Sequence, residues 1–434
     1  MQKFVIALTT MFLFCSAYAQ HDTEQDYYQP EYIRFSDHVY VPSIRTVLLY
    51  RSGWEMSPPV ISLQSGEKLR LEFDDLEADV KSYKVSVVHC DANWQPSDLE
   101  PSEYLEGFYD DDINDYEFSY NTTKAFTHYY IDLPSDYLRF TKSGNYLLRV
   151  FLGEDTDDNV VITRRFMVSD PKVSLRGSVT RPVNVSEREE KQSVDFVIRT
   201  GNYYISDPFT KLKVIIRQNG RWDNMLTGLK PKMAGSTELD YRLIPGNVFN
   251  GINEFRNFDI KSLKYNSERI RKIEYDVDGY HVYLWPDERR TFKRYTFEKD
   301  INGRKFIESE GSTNQSTESD YVWVHFTLPY DFPLVNGNLY ILGDLTDWQF
   351  SEEGMMKYDF EKHVYEGKLY LKQGYYNYLF VFLEDGRTDG DAALIEGTHS
   401  ETENDYTVYV YYRAEGSKYD ELIGIEFFNS LIKK

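Results

Sequence analysis

Residue types that can do chemistry are plentiful in this 434-residue chain, but their spacing is not that of a catalytic centre. Histidines stand at 21, 38, 89, 128, 281, 325, 363 and 399, too scattered for a metal-ligand pattern. There is no G-x-S-x-G elbow, no H-E-x-x-H pair, no C-x-x-C and no P-loop. The acidic runs Glu154-Asp-Thr-Asp-Asp-Asn159 and Asp110-Asp-Asp112 lack the oxygen-ligand spacing and the glycine of a calcium loop, so both read as solvated turns. Asp and Glu could pair as acid and base in many places, and abundance alone marks none of them. The expectation is a non-enzyme with no catalytic residue, cofactor or metal site.

What the chain offers in place of catalytic groups is contact surface. After the apolar run Tyr83-Lys-Val-Ser-Val-Val88 the sequence turns through His89-Cys-Asp-Ala-Asn-Trp94 and enters a stretch dense in aromatic and acidic side chains, including Tyr104-Leu-Glu-Gly-Phe108 and Asp115-Tyr-Glu-Phe-Ser-Tyr-Asn121. Connections within a compact domain usually close in about four to six residues. A longer irregular stretch this aromatic is too apolar for disorder and reads as an ordered surface for a large partner. Interface anchors are commonly Trp and Tyr in desolvated pockets. The expected partner-binding residues are Trp94, Tyr104, Phe108, Tyr109 and Tyr116; packing inside their own domain is the competing reading.

The elements that must position this stretch are strands. The chain holds 37 Tyr and 27 Phe in short alternating runs punctuated by Gly, Asn, Asp and Pro, which points to an all-β fold of three tandem immunoglobulin-like sandwiches with few short helices. Residues 1–19 read as a cleaved signal peptide, with Lys3, an apolar core and Ala17-Tyr-Ala19. Phe14 before Cys15 argues against a lipid anchor, and no later run is long and apolar enough to span a bilayer. Cys90 is then the one remaining thiol, which precludes an intramolecular disulfide and suggests a small buried strand residue.

The expected organisation is an extension at 20–35, sandwich 1 at 36–170, sandwich 2 at 171–307, a linker at 308–319 and sandwich 3 at 320–434. Sandwich 1 should end in a hairpin of Tyr146–Leu152 and Val160–Val168. In sandwich 2, Ser193–Arg199 and Lys211–Arg217 should pair, and Phe255, Arg256 and Phe258 should pack between domains. Short helices are expected at Glu268–Ile273 and Tyr419–Ile432. The net charge of −22 repels nucleic acid and anionic membrane surfaces alike, so neither is an expected partner, and the protein alone should be a monomer.

Two resemblances add to this. Asn338-Leu-Tyr-Ile-Leu-Gly-Asp-Leu-Thr-Asp-Trp348, Gly374-Tyr-Tyr-Asn-Tyr-Leu-Phe-Val-Phe382 and Asp385-Gly386 resemble the starch-binding type of immunoglobulin-like module. That likeness implies a glycan-binding alternative using Trp348, Tyr375 and Tyr376. Over nearly the whole mature chain, Val87-Val-His-Cys-Asp-Ala-Asn-Trp94, Tyr104-Leu-Glu-Gly-Phe108, Tyr116-Glu-Phe-Ser-Tyr120, Asn253-Glu-Phe-Arg256 and Gly343-Asp-Leu-Thr-Asp-Trp348 together resemble the plug family of the type IX secretion translocon. The resemblance implies a periplasmic, non-enzymatic plug that closes the inner mouth of a giant outer-membrane β-barrel when no cargo is passing. The barrel would be its partner.

Overall fold

The computed structural model describes residues 34–431, so the expected signal peptide and most of the extension lie outside the described residues. The fold is all-β, and the α-helices within it are single turns such as Pro101–Tyr104 and Gln315–Glu318. Strand Leu69–Asp75 illustrates why: Leu69, Leu71 and Phe73 are buried while Arg70 and Glu72 between them are half-exposed, the period of two that one covered sheet face demands.

The first sandwich packs a sheet in the order His38–Val39, Val160–Ser169, Gly144–Leu152, Tyr83–Cys90, Asp110–Asp112 against a sheet in the order Ile44–Arg51, Leu69–Asp75, Thr127–Leu133, Asp115–Phe118. The expected closing hairpin is present, with Gly144–Leu152 antiparallel to Val160–Ser169. Its core is aromatic: Phe73, Tyr83 and Tyr129 lie 5.0–5.3 Å apart, stacked or edge-on. Two of the buried tyrosines of this core keep their hydroxyls bonded, Tyr83 to Asp75 and Tyr146 to the Lys142 carbonyl. A tyrosine-rich core without disulfides is therefore not short of partners.

The second and third sandwiches are interwoven, which corrects the expected tandem boundaries. Leu212–Gln218 does not pair with Lys191–Arg199, which lies in the facing sheet beside Ser174–Thr180. Its partner is Asp405–Tyr412, itself paired with Glu421–Asn429, so the C-terminal strands complete the second sandwich. Conversely Arg256–Asp259, Ile270–Asp276 and Gly279–Leu284 join the third, on a continuous strand path with Gly374–Glu384 and Tyr321–Pro329, and Lys305–Ile307 pairs with Gly374–Glu384 beside that path. Both expected helices are strands, Ile270–Asp276 and Glu421–Asn429, because a neighbouring ladder satisfies their backbone.

The segment 308–319 is not a free linker. Ser309, Thr317 and Ser319 are buried, with the Ser309 amide donating to Gln315 Oε1 and the Ser319 hydroxyl bonding Ser309. Arg256, expected between domains, is buried inside the third sandwich and bridges Asp287 and Glu396.

Candidate partner-binding surface

The turn that ends Tyr83–Cys90 is set by Asp91, whose carboxylate accepts the amides of Asn93 and Gln95 while its carbonyl accepts the Trp94 amide. This places Trp94 at φ 64° and sends its ring inward. Trp94 is 5% exposed and packs with Cys90, Ala92, Leu147 and Met167 of the first sandwich against Ile215, Tyr409, Tyr411 and Leu422 of the second. Its ring is edge-on to Trp222 at 5.3 Å, and the Arg165 guanidinium lies 5.5 Å from Trp94 and 3.7 Å from Trp222. The expected docking role of Trp94 is thus corrected: it belongs to the joint between two sandwiches.

Tyr104 is corrected likewise. It is 4% exposed, its hydroxyl donates to the Val87 carbonyl at 3.2 Å, and its ring meets His89 and Tyr146. A capping box at Glu100 and Glu103 winds the short turn Pro101–Tyr104 that points it inward.

Phe108, Tyr109 and Tyr116 are exposed, at 65%, 59% and 41%. Three further rings outside the sequence expectation, Phe118, Tyr120 and Tyr137, are also exposed. Phe108 lies 6.0 Å from Tyr137, and Tyr116 lies 5.8 Å from Phe118. The Phe108 amide donates to the Tyr137 carbonyl, and Gly107 makes that approach possible, since a Cβ there would stand 2.0 Å from the same carbonyl oxygen.

Topology explains the gathering. Asp110–Asp112 is the last strand of one sheet and Asp115–Phe118 the last strand of the other, with Ile113 buried between them as the anchor. The chain therefore crosses from sheet edge to sheet edge and carries its aromatics along that side. All of Asp115–Phe118 is exposed, which leaves a strand edge open to backbone pairing. Lys84 pairs with Asp110 and Asp112, whereas Glu106 and Asp115 have no ion pair among the described residues. The surface is apolar with an acidic rim.

The glycan alternative finds no platform. Strand alternation sends Tyr375 and Tyr376 to opposite faces; Tyr376 is 1% exposed, its hydroxyl bound to the Lys372 carbonyl. Trp348, at φ 57°, packs edge-on to Phe255 at 6.1 Å and covers Gly303, where a Cβ would meet the indole. It borders a cavity of about 210 Å³ at the junction of the sandwiches, shared with Trp222 and Arg217. Three of the arginines lining this cavity are paired internally, Arg165 with Asp37, Arg164 with Asp347 and Arg304 with Asp405, and Arg217 bonds the Gly220 and Arg221 carbonyls. Cys90 is fully buried, and burial pushes its thiol up to about 12, which makes it inert as a nucleophile at neutral pH.

The family model described as type 9 secretion system plug protein 1st domain matches residues 44–170, the span that holds this surface. A crystal structure of a hypothetical protein from Parabacteroides merdae is similar over 92% of this chain and 100% of its own, at 36% identity and a TM-score of 0.89. The C-terminal domain of the Streptococcus agalactiae AgI/II polypeptide BspA aligns over 88% of this chain and 98% of its own, but at 7% identity and a TM-score of 0.15. That alignment supports no argument about either fold or function. No curated protein matches the chain.

Proposed function

We propose, from the premise that this chain belongs to the type 9 secretion system plug protein family, that it is a periplasmic plug which binds the inner mouth of the giant outer-membrane β-barrel translocon and seals it when no cargo is passing. The family is a secretion-system family and not an enzyme family. No helix among the described residues is long and apolar enough to cross a membrane.

One observation carries the reading: two exposed aromatic pairs, Phe108 with Tyr137 and Tyr116 with Phe118, together with exposed Tyr109, lie along the side where the two sheets of the matched domain end. Large exposed rings on a well-packed body supply the desolvated anchors that a specific contact uses. The acidic rim beside them favours a basic lip on the partner and makes the contact sensitive to salt, as a plug that must also leave requires. The internally bonded joints behind the edge let the three sandwiches be presented as one body. The test is capture of the barrel from native outer membrane by the tagged full-length protein, compared with a variant lacking the rings of Phe108, Tyr109 and Tyr116. No observation favours the glycan reading.

A further inference from the structure

Two clusters of potential metal ligands occur among the described residues, and they differ in what fills them. In the first, Asp75, Glu77 and Asp79 surround Lys81, whose ammonium contacts all three carboxylates at 2.5–3.3 Å. The centre of that cluster is already occupied by a cation of the chain itself. In the second, Asp276, Asp278 and His281 bring their ligand atoms within 4.8 Å of one another, and neither carboxylate is paired with a lysine or arginine among the described residues.

His281 is the informative member. It is 9% exposed, and its Nε2 is buried without a hydrogen-bond partner. That atom lies 3.2 Å from Asp276 Oδ1, within ion-pair range but misaligned for a hydrogen bond. The other ring nitrogen, Nδ1, is 2.9 Å from Nε2 of His325. In the tautomer whose Nδ1–H donates to His325, the one a bound cation selects, Nε2 presents its lone pair beside Asp276. His325 is held in place by stacking on Tyr283 at 4.3 Å, on the parallel strand Tyr321–Pro329. A metal-bound histidine characteristically donates its second N–H in this way to a fixed acceptor.

We infer that the tip of the hairpin formed by Ile270–Asp276 and Gly279–Leu284 binds a divalent transition cation of the zinc or nickel kind, through Asp276, Asp278 and His281 Nε2. Ligand atoms about 2.1 Å from a common ion stand roughly 3.4 Å apart at tetrahedral angles. The 3.2 Å between His281 Nε2 and Asp276 Oδ1 already meets that spacing. Asp278 is exposed, and its amide is tied to Asp276 Oδ1 at 2.9 Å, so a side-chain rotation brings its carboxylate onto the same ion. Imidazole with carboxylate suits such cations better than magnesium or calcium, which take oxygen alone. Three protein ligands leave the remaining positions to water or to a partner group. The spacing Asp276-x-Asp278-x-x-His281 is visible in the sequence, but only the pairing of Glu274 with His281 and Asp276 with Gly279 folds it into a cluster.

The test is calorimetric titration of the full chain, freed of metal by a chelator, with zinc chloride, alongside cobalt absorption and the unfolding midpoint with and without zinc. The expected result is one saturable equivalent and a zinc-dependent rise in midpoint. Both should be weakened at least about tenfold in Asp278→Asn and in His281→Gln. Asp278 is exposed, so its variant keeps the fold whatever becomes of the buried histidine. Absence of saturable binding in the unaltered chain, or equal affinity in folded Asp278→Asn, would overturn the assignment.

Discussion

Lys372 Nζ and Asp74 Oδ2 stand 2.6 Å apart, both side chains almost wholly buried, and they come from strands of different sandwiches. Asp74 also accepts from the Tyr321 hydroxyl at 2.6 Å and faces His128 Nδ1 at 2.8 Å. Together with the Trp94 cluster, this network ties the sandwiches into one continuous body.

Breaking that pair should be costly. Lys372→Met leaves a buried carboxylate without its cation and is expected to lower stability by about 3–5 kcal/mol, read from urea unfolding. Burial alone would raise the Asp74 pKa; the Lys372 ammonium overrides this and holds it below the usual carboxylate value. Its contribution is therefore fully present above the unfolded pKa of about 3.9 and is lost as pH falls through the lower folded value. Acid unfolding should begin at higher pH in the variant.

Trp94→Ala should destabilise by about 3–5 kcal/mol, since it empties a cluster shared by two sandwiches. By contrast Phe108→Ala and Tyr109→Ala should each change stability by no more than about 0.5 kcal/mol, because exposed positions carry little packing, while Tyr116→Ala, whose ring also lies 5.8 Å from the buried Tyr129, should cost about 1 kcal/mol. Thermal unfolding of the four variants separates joint from surface.

Glu254 gives a pH dependence of opposite sign. Burial pushes its carboxyl up to about 7, against the bond from Tyr295, and its Oε2 has no hydrogen-bond partner. The folded state thus holds this proton more tightly than the unfolded chain does. Its contribution is full below the unfolded pKa and is lost as pH rises through about 7. Glu254→Gln should flatten the fall in unfolding midpoint between pH 5 and 8, measured by calorimetry.

Cys90 should resist alkylation by a maleimide at pH 7.5 in the native protein and react once in guanidinium, as expected of a buried thiol whose pKa is pushed up to about 12.

The local pattern of the sequence carries the strands but not their partners. Ile44–Arg51, Leu69–Asp75, Tyr83–Cys90 and Asp405–Tyr412 are legible because alternation is a property of the segment itself. That Asp405–Tyr412 returns to Leu212–Gln218 is not, because pairing across such separation leaves no local trace. The apolar-free run 308–319 reads as a linker by side-chain polarity, whereas Ser309 and Ser319 are buried through hydrogen bonds to Gln315 and to each other. Of the expected contact residues, Phe108, Tyr109 and Tyr116 are at the surface. Trp94 and Tyr104 are not, since one left-handed turn and one capped turn reverse their direction. Tyr137 is not legible as a neighbour of Phe108, because only the close approach at Gly107 brings the two together.

The most direct test of the plug reading is capture of the translocon barrel from native outer membranes in mild detergent, by the unaltered chain and by the triple variant Phe108→Ala, Tyr109→Ala, Tyr116→Ala, with the captured protein identified by mass. The account predicts the giant barrel as the dominant companion of the unaltered chain and its loss from a variant that still unfolds cooperatively well above the temperature of the experiment. Failure of the unaltered chain to retain the barrel, or equal retention by the folded variant, would contradict it.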